Sequence, residues 1–383
     1  MLTTILVILL LTLLPDAYVW AHFVRHWPLA WRVVYFIPSV LVILSPLLTV
    51  SPRGYNLAFH VLIGLMLLVI LPKLLFVVVS LAGKGLAFAW PRAFTIANVV
   101  GLALVAIIVP AVLYGMTFGW RRVIVKEIAI RSARLPRAFD GYRIVQLSDF
   151  HIGTYARSPG TVEKIVDTVN ALDADAVVFT GDLVNLDPEE VTPFMQALAK
   201  IKARDGVFTI LGNHDYCLYR PHTDAGEPAR LLARLAAKED SLGWTMLRNE
   251  HRIIRRGQDS IALVGVENDG TLPFPALADL PRALAGIPDG LYKVLLSHDP
   301  THWRRSVLPR TDIDLTLSGH THAMQLRLGR FSPSAFMYRE WGGLYTEGTR
   351  HLHVSTGTGS NVPFRLGAWP EVDVLTLTRP ATP

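Results

Sequence analysis

The first 120 residues contain one acidic side chain, Asp16, and six basic ones, Arg25, Arg32, Arg53, Lys73, Lys84 and Arg92. Few folds accommodate so apolar a stretch. A hydrocarbon layer about 30 Å thick is crossed by about 20 apolar helical residues. Inside that layer each backbone polar group must be bonded within the protein, which favours helices. Residues 2–23, 33–50, 55–83 and 93–120 meet the length. Residues 2–23 lack the basic leader of a cleavable signal peptide and are followed by further spans, so they read as a retained span. The expected architecture is a bundle of four transmembrane helices over 1–120 and a globular part over 121–383. The chain would then be an integral, multi-pass protein of the plasma membrane.

Asp16 and Lys73 lie well inside the first and third spans, each directly after a proline, Pro15 and Pro72. These two spans run in the same direction, so both side chains reach a similar depth. An ionisable group there is costly unless paired, and the arrangement predicts an Asp16–Lys73 ion pair; snorkelling to an interface is the alternative. Orientation is undetermined. Arg25, Arg32, Lys84 and Arg92 flank one side, and Arg53, Arg121, Arg122 and Lys126 the other, so the positive-inside rule does not choose. Trp20, Trp27, Trp31, Trp90 and Trp120 suit interfacial belts.

The remaining 263 residues carry 31 bases and 30 acids. The overall net charge of +6 therefore comes mainly from the apolar part. No basic field is left to attract nucleic acid, which is excluded as an expected partner. A 51% hydrophobic content excludes disorder. The single cysteine, Cys217, excludes an intramolecular disulfide and a thiolate metal cluster; it reads as an ordinary packed thiol.

Beyond about Val123, short apolar runs alternate with amphipathic segments, the pattern of a layered α/β fold. Residues 143–147, 176–180, 207–211, 293–296 and 314–317 are predicted as buried strands, and 161–172, 188–201, 227–237 and 281–285 as helices. Residues 252–264 read as a hairpin, and 351–355 and 372–378 as closing strands. The polar residues after each buried strand are the informative ones. They are Ser148-Asp149-Phe150-His151, Gly181-Asp182-Leu183-Val184-Asn185, Gly212-Asn213-His214-Asp215, Ser297-His298-Asp299-Pro300 and Ser318-Gly319-His320-Thr321-His322. In open α/β sheets, sites are built outside the carboxyl ends of the strands.

In extended chain, residues i and i+2 point the same way, so Asp149 with His151, and His320 with His322, can aim two groups at one place. Gly181, Gly212 and Gly319 permit sharp turns and close backbone approach. Imidazole, carboxylate and amide oxygen without thiolate suit Zn, Mn, Fe or similar divalent ions. The donors exceed the needs of one ion, and a carboxylate such as Asp182 can bridge two. Two ions about 3.5–4 Å apart clamp the attacking and leaving oxygens of an in-line displacement at phosphorus. Arg157, Tyr216, Arg220, His222 and Arg304 lie near these motifs as candidates for phosphate contact or as plain surface residues.

Together these motifs resemble those of the calcineurin-like metallophosphoesterase superfamily, over about residues 129–378. The branch with an N-terminal membrane segment, YkuE-like phosphoesterases and transmembrane proteins with a metallophosphoesterase domain, is the nearer likeness. Residues 355–367 with Pro370-Glu371 share it. The resemblance implies an α/β/β/α sandwich holding two divalent metal ions, Mn, Fe, Zn or Mg. It places Asp149, His151, Asp182 and His322 on the first ion, and Asp182, Asn213, His298 and His320 on the second. It makes His214 the catalytic histidine that protonates the leaving oxygen. Many relatives carry Asp where Asn185 stands to orient that histidine, so Asp215 is a further candidate for assistance. Ala323-Met324-Gln325 replaces the usual Gly-Gly-Gln. The implied activity is hydrolysis of a phosphomonoester, phosphodiester or pyrophosphate, with a lipid or lipid-linked substrate favoured by the membrane spans. The alternative is a membrane binding or transport protein with a catalytically degenerate domain.

Overall fold

The computed structural model describes residues 2–50 and 54–380. Arg53, one of the flanking charges, lies outside the described residues. The chain forms two compact units, Met1–Phe118 with Val362–Phe364 and Gly119–Asn361 with Arg365–Pro383.

In the first unit, apolar residues all round the helix axis produce helices with little buried surface. These are α1 (Leu2–His22), α2 (Leu29–Leu44), α3 (Gly54–Leu65), α4 (Leu71–Leu86) and α5 (Ala93–Thr117). A π turn, Met66–Ile70, joins α3 to α4 without a break. It precedes Pro72, whose ring and missing N–H disrupt the regular ladder four residues back. Among the described residues, four helices are long and apolar enough to cross a membrane, and only 11–28% of their apolar windows is buried. Their outward faces therefore match a hydrocarbon solvent.

The expected ion pair is present. Lys73 Nζ lies 2.6 Å from Asp16 Oδ1 and donates to Ser39 Oγ at 2.7 Å. Tyr35 donates its hydroxyl to the same Asp16 oxygen at 2.9 Å. Thus α1, α2 and α4 meet at one polar cluster. A second chain runs from Tyr18 through Ser80 to Asn98 and links α1, α4 and α5.

The second unit contains two six-stranded sheets. Its strands are β1 (Ile124–Arg131), β2 (Tyr142–Leu147), β3 (Ala176–Phe179), β4 (Val207–Thr209), β5 (Thr245–Met246), β6 (Glu250–Arg256), β7 (Asp259–Gly265), β8 (Tyr292–Leu296), β9 (Leu315–Ser318), β10 (Gly343–Glu347), β11 (Arg350–Val354) and β12 (Glu371–Thr378). The sheet orders are β1-β12-β2-β3-β4-β5 and β10-β11-β9-β8-β7-β6. Strands β2 to β5 run parallel, as do β7, β8, β9 and β11. The helices are α6 (Pro159–Ala171), α7 (Met195–Leu198), α8 (Glu227–Ser241), α9 (Leu280–Leu284) and α10 (Leu308–Arg310).

Side chains alternate across each strand, and both faces are apolar. Val145, Leu147 and Val177 meet Val162, Ile165 and Val169 of α6 and Leu231 and Leu235 of α8. On the opposite face Ile144, Val178 and Phe208 pack against Leu263, Val294 and Leu317 of the second sheet. Val264, Leu295 and Leu352 are covered by Leu280, Ala283, Trp303 and Val307. Each such side chain contributes about 1.5–3 kcal/mol on burial. The result is the expected α/β/β/α layering.

Some local expectations change. Residues 188–201 do not form one helix: a 3-10 segment, Pro188–Phe194, leads into the single turn of α7. Pro193 lacks the N–H that a longer α ladder needs. Strand β1 was not expected, because it is half exposed and pairs in parallel with β12 from the far end of the chain. The fourth apolar helix ends at Thr117, and Trp120 lies beyond it. It is 7% exposed, with its ring 5.3 Å from that of Tyr155 in the core of the second unit.

Breaking a buried ion pair by removing one partner costs about 3–5 kcal/mol, because it strands the other charge. Asp16→Asn and Lys73→Met are each expected to lower the melting temperature of the purified protein sharply. The double variant should lose less than the sum of the singles, measured as a double-mutant cycle in detergent.

Candidate metal centre

All five polar motifs follow the carboxyl ends of strands, β2, β3 and β4 in the first sheet and β8 and β9 in the second. The chain must reverse abruptly there while aiming side chains inward. Asp149, His151, Asp182, His320 and His322 accordingly take positive φ values of 50°, 45°, 58°, 73° and 49°. Left-handed backbone costs a non-glycine residue roughly 1–2 kcal/mol, and it persists where the surroundings hold it, as functional sites do. Gly319 shows how tight the approach is: a Cβ there would overlap Ser148 Oγ and Asp149 Oδ2.

The two sheets are tied together at this edge. His320 N–H donates to both Asp149 oxygens at 3.0 Å. His298 Nδ1 lies 2.7 Å from the Thr180 carbonyl. The Nδ1 proton donated there turns Nε2 towards Asp182, the usual means of orienting a metal-binding imidazole.

Asp182 Oδ2 sits at the centre. It lies 3.6 Å from His151 Nε2 and 3.3 Å from His298 Nε2. On one side His151 Nε2 is 3.0 Å from His322 Nε2, which is 3.2 Å from Asp149 Oδ1. The donor atoms of Asp149, His151, Asp182 and His322 all lie within 4.8 Å of one another and could hold a metal ion. On the other side His320 Nδ1 is 2.8 Å from Asn213 Oδ1 and 3.3 Å from His298 Nε2. All seven sequence-selected residues thus converge in two groups that share one carboxylate.

Burial would raise the Asp182 carboxyl and lower the His298 imidazole. Their mutual attraction outweighs it, holding Asp182 well below the usual carboxylate range and pushing His298 up to about 10. Burial lowers His151 and His322 well below the normal imidazole value and brings His320 to about 4. Metal ligands must be deprotonated. Buried neutral imidazoles whose nitrogens face one another, beside carboxylate and amide oxygens, have the chemistry that fits divalent cations.

His214 remains partly exposed beside this cluster. Its N–H donates to Asp182 Oδ1 at 2.8 Å, and its Nδ1 lies 2.7 Å from the main-chain carbonyl of Asn185. The Asn185 side chain instead donates to Thr154 Oγ1. The orienting acceptor is therefore backbone, so an amide at position 185 does not remove it. Asp215 faces main-chain N–H groups. Its carboxylate accepts the N–H groups of Asp182 at 2.8 Å, Gly212 at 2.9 Å and Val184 at 3.2 Å, pinning two motif loops together.

Sequence reasoning missed several neighbours. Arg365 is fully buried; its guanidinium donates to the carbonyls of Gly359 and Ala368 and lies 3.1 Å from His322 Nδ1. Tyr338 OH is 3.0 Å from His320 Nε2, and Phe274 meets the same ring edge-on at 4.8 Å. The resemblance over 355–367 was the available signal for Arg365; none marked Tyr338 or Phe274. The phosphate-contact candidates mostly have other partners. Arg220 pairs with Asp187 and Glu227, Arg304 with Glu340 and Glu347, and Tyr216 OH accepts from Asn268 N–H. His222 faces Glu227 at 3.9 Å, and the side chain of Arg157 lies outside the described residues. Cys217 is buried, which pushes its thiol up and leaves it inert.

Residues 142–324 match the family model described as Calcineurin-like phosphoesterase. Residues 2–120 match that described as "Probable Calcineurin-like phosphoesterase, transmembrane domain". The chain is 31% identical over 268 residues to "Uncharacterized metallophosphoesterase YkuE" of Bacillus subtilis (strain 168), covering 66% of this chain and 84% of that protein. It is 32% identical over 286 residues to "Transmembrane protein with metallophosphoesterase domain" of Danio rerio, covering 72% of this chain and 62% of that one. An "Uncharacterized metallophosphoesterase" of Helicobacter pylori (strain J99 / ATCC 700824) is 30% identical over 275 residues, with 69% and 66% covered. The chain belongs to the calcineurin-like metallophosphoesterase family, in its four-helix transmembrane branch.

Asp215→Asn would set an amide N–H₂ against main-chain N–H groups. Leaving such a buried group unsatisfied costs about 1–3 kcal/mol. The variant is expected to lose that much stability in denaturant titrations, and to lose more than Asp215→Glu only if the three acceptor bonds are its main role.

Proposed function

We propose that this chain is a membrane-anchored, metal-dependent phosphoric ester hydrolase with a dinuclear centre. Residues 1–120 form the anchor, in the plasma membrane, and residues 121–383 the catalytic part. The observation that carries the reading is the shared carboxylate: Asp182 Oδ2 faces His151 on one side and His298 on the other. Asp149, His151, Asp182 and His322 would hold one ion, and Asp182, Asn213, His298 and His320 the other. When bound, two such ions neutralise charge on phosphoryl oxygens and make a water acidic enough to attack phosphorus near neutral pH.

The protein's own groups do the rest. The left-handed turns and the cross-sheet bonds of Asp149 and His298 hold the donors in place, so little reorganisation accompanies reaction. His214, whose Nδ1–H donates to the Asn185 carbonyl, would as an imidazolium give its Nε2 proton to the departing oxygen. The substrate is a phosphomonoester, phosphodiester or pyrophosphate, and the four apolar helices favour a lipid or lipid-linked one. The complete donor set disfavours a degenerate domain serving binding or transport. The domain's balanced charge disfavours nucleic acid.

Asp149→Ala and Asp182→Ala are each expected to abolish Mn-supported hydrolysis of bis(4-nitrophenyl) phosphate without changing the circular dichroism spectrum. Wild-type turnover that survives complete metal removal would overturn the reading. His214→Ala should lower kcat by about 10²–10⁴ for an alkyl ester, whose leaving oxygen needs a proton. It should change the nitrophenyl rate far less, and leave bound metal, measured by mass spectrometry, unaltered.

A further inference from the structure

The segment that follows the fifth motif is unlike a soluble surface loop. Residues 324–339 contain Arg327, Arg330 and Arg339 and no acid. Leu328, Phe331, Phe336 and Met337 are 62%, 48%, 82% and 66% exposed. Arg339 reaches Glu340 at 3.6 Å, but that carboxylate is already held by Arg304 at 2.6 Å.

This exposure is built in, because the backbone beneath is fixed. Leu328 and Phe331 exchange N–H···O bonds of 2.8 and 3.0 Å across a tight turn. Arg327 N–H donates to the Leu366 carbonyl at 2.9 Å. Ser332 Oγ donates to the Ala323 carbonyl at 2.7 Å, and Tyr338 N–H to Ser334 at 2.8 Å. Side chains that could have turned inward are therefore presented outward, with the Phe331 and Phe336 rings 5.8 Å apart, and exposed apolar surface of this kind marks an interaction surface. Its occupant follows from the charge. Leu, Phe and Met set among arginines, with no acid, suit the boundary between anionic headgroups and acyl chains. The segment also leads straight to the metal centre, since Tyr338 OH lies 3.0 Å from His320 Nε2.

We propose that residues 324–339 form a docking loop for an anionic bilayer surface. Leu328, Phe331, Phe336 and Met337 enter the acyl boundary, and Arg327 and Arg330 meet headgroup phosphates. Docking sets the metal centre at the level of phospholipid headgroups, and so selects a membrane phospholipid ester as substrate. That last clause rests on the hydrolase reading; the docking itself does not.

The test uses the full chain in nanodiscs. Because Cys217 is buried, an environment-sensitive fluorophore attached to the Phe336→Cys variant reports that position alone. In discs of phosphatidylglycerol and phosphatidylcholine its emission should shift to the blue, and doxyl-labelled lipid should quench it at least twofold. Arg327→Glu with Arg330→Glu should reverse both effects. A water-like, unquenched probe in the anionic discs would overturn the docking. Phe336→Asp with Met337→Asp should cut phospholipid hydrolysis in the same discs at least tenfold and leave bis(4-nitrophenyl) phosphate turnover unchanged. An equal loss on both substrates, or on neither, would overturn the link between docking and substrate. A wild type inactive on both would overturn the hydrolase reading, while the fluorescence still decides the docking.

Discussion

Asp182 Oδ2 lies 3.3 and 3.6 Å from two imidazole nitrogens, and the residue is 2% exposed. A carboxylate cut off from water is tolerable only among compensating partners. Those partners come from both sheets: His151 follows β2, and His298 follows β8. The need to surround this oxygen accounts for the left-handed turns at five donor residues, the close approach of Gly319 to Asp149, and the loop-pinning carboxylate of Asp215. The two apolar layers fix the sheet edges; the polar groups at those edges then have a single place to meet.

The first unit solves the same problem in another solvent. Asp16 and Lys73 satisfy each other inside an apolar bundle, helped by Tyr35 and Ser39. In both units an expensive buried charge specifies a meeting point between elements that hydrophobic packing alone would leave free to slide. Apolar contact is non-directional; a carboxylate with named partners is not.

Much of this was legible in the chain. Strands with a polar cluster after each one pointed to the sheet edge, because a buried parallel strand reads as a continuous apolar run; the family resemblance then singled out seven candidate ligands there. The Asp16–Lys73 pair was legible because two costly residues stood at matched depth. Other features were not. Trp120 follows an apolar span yet packs on Tyr155, a contact that local hydropathy cannot register. Strand β1 depends on β12, and residues 188–194 take a 3-10 course because Pro193 removes a donor.

The sequence by itself determined the division into a charge-poor part and a charge-balanced part, the α/β class, and the five polar clusters that follow the buried strands. These follow from composition and short-range periodicity, which act on each segment independently of the rest. Tertiary structure alone decided that the Asn185 main chain, and not its side chain, orients His214. It also decided that Asp215 spends both oxygens on backbone, that Arg365 backs His322, and that residues 324–339 hold their apolar side chains outward. Each of these depends on which groups are left without a partner once the two sheets have closed, and that is a property of the packed molecule.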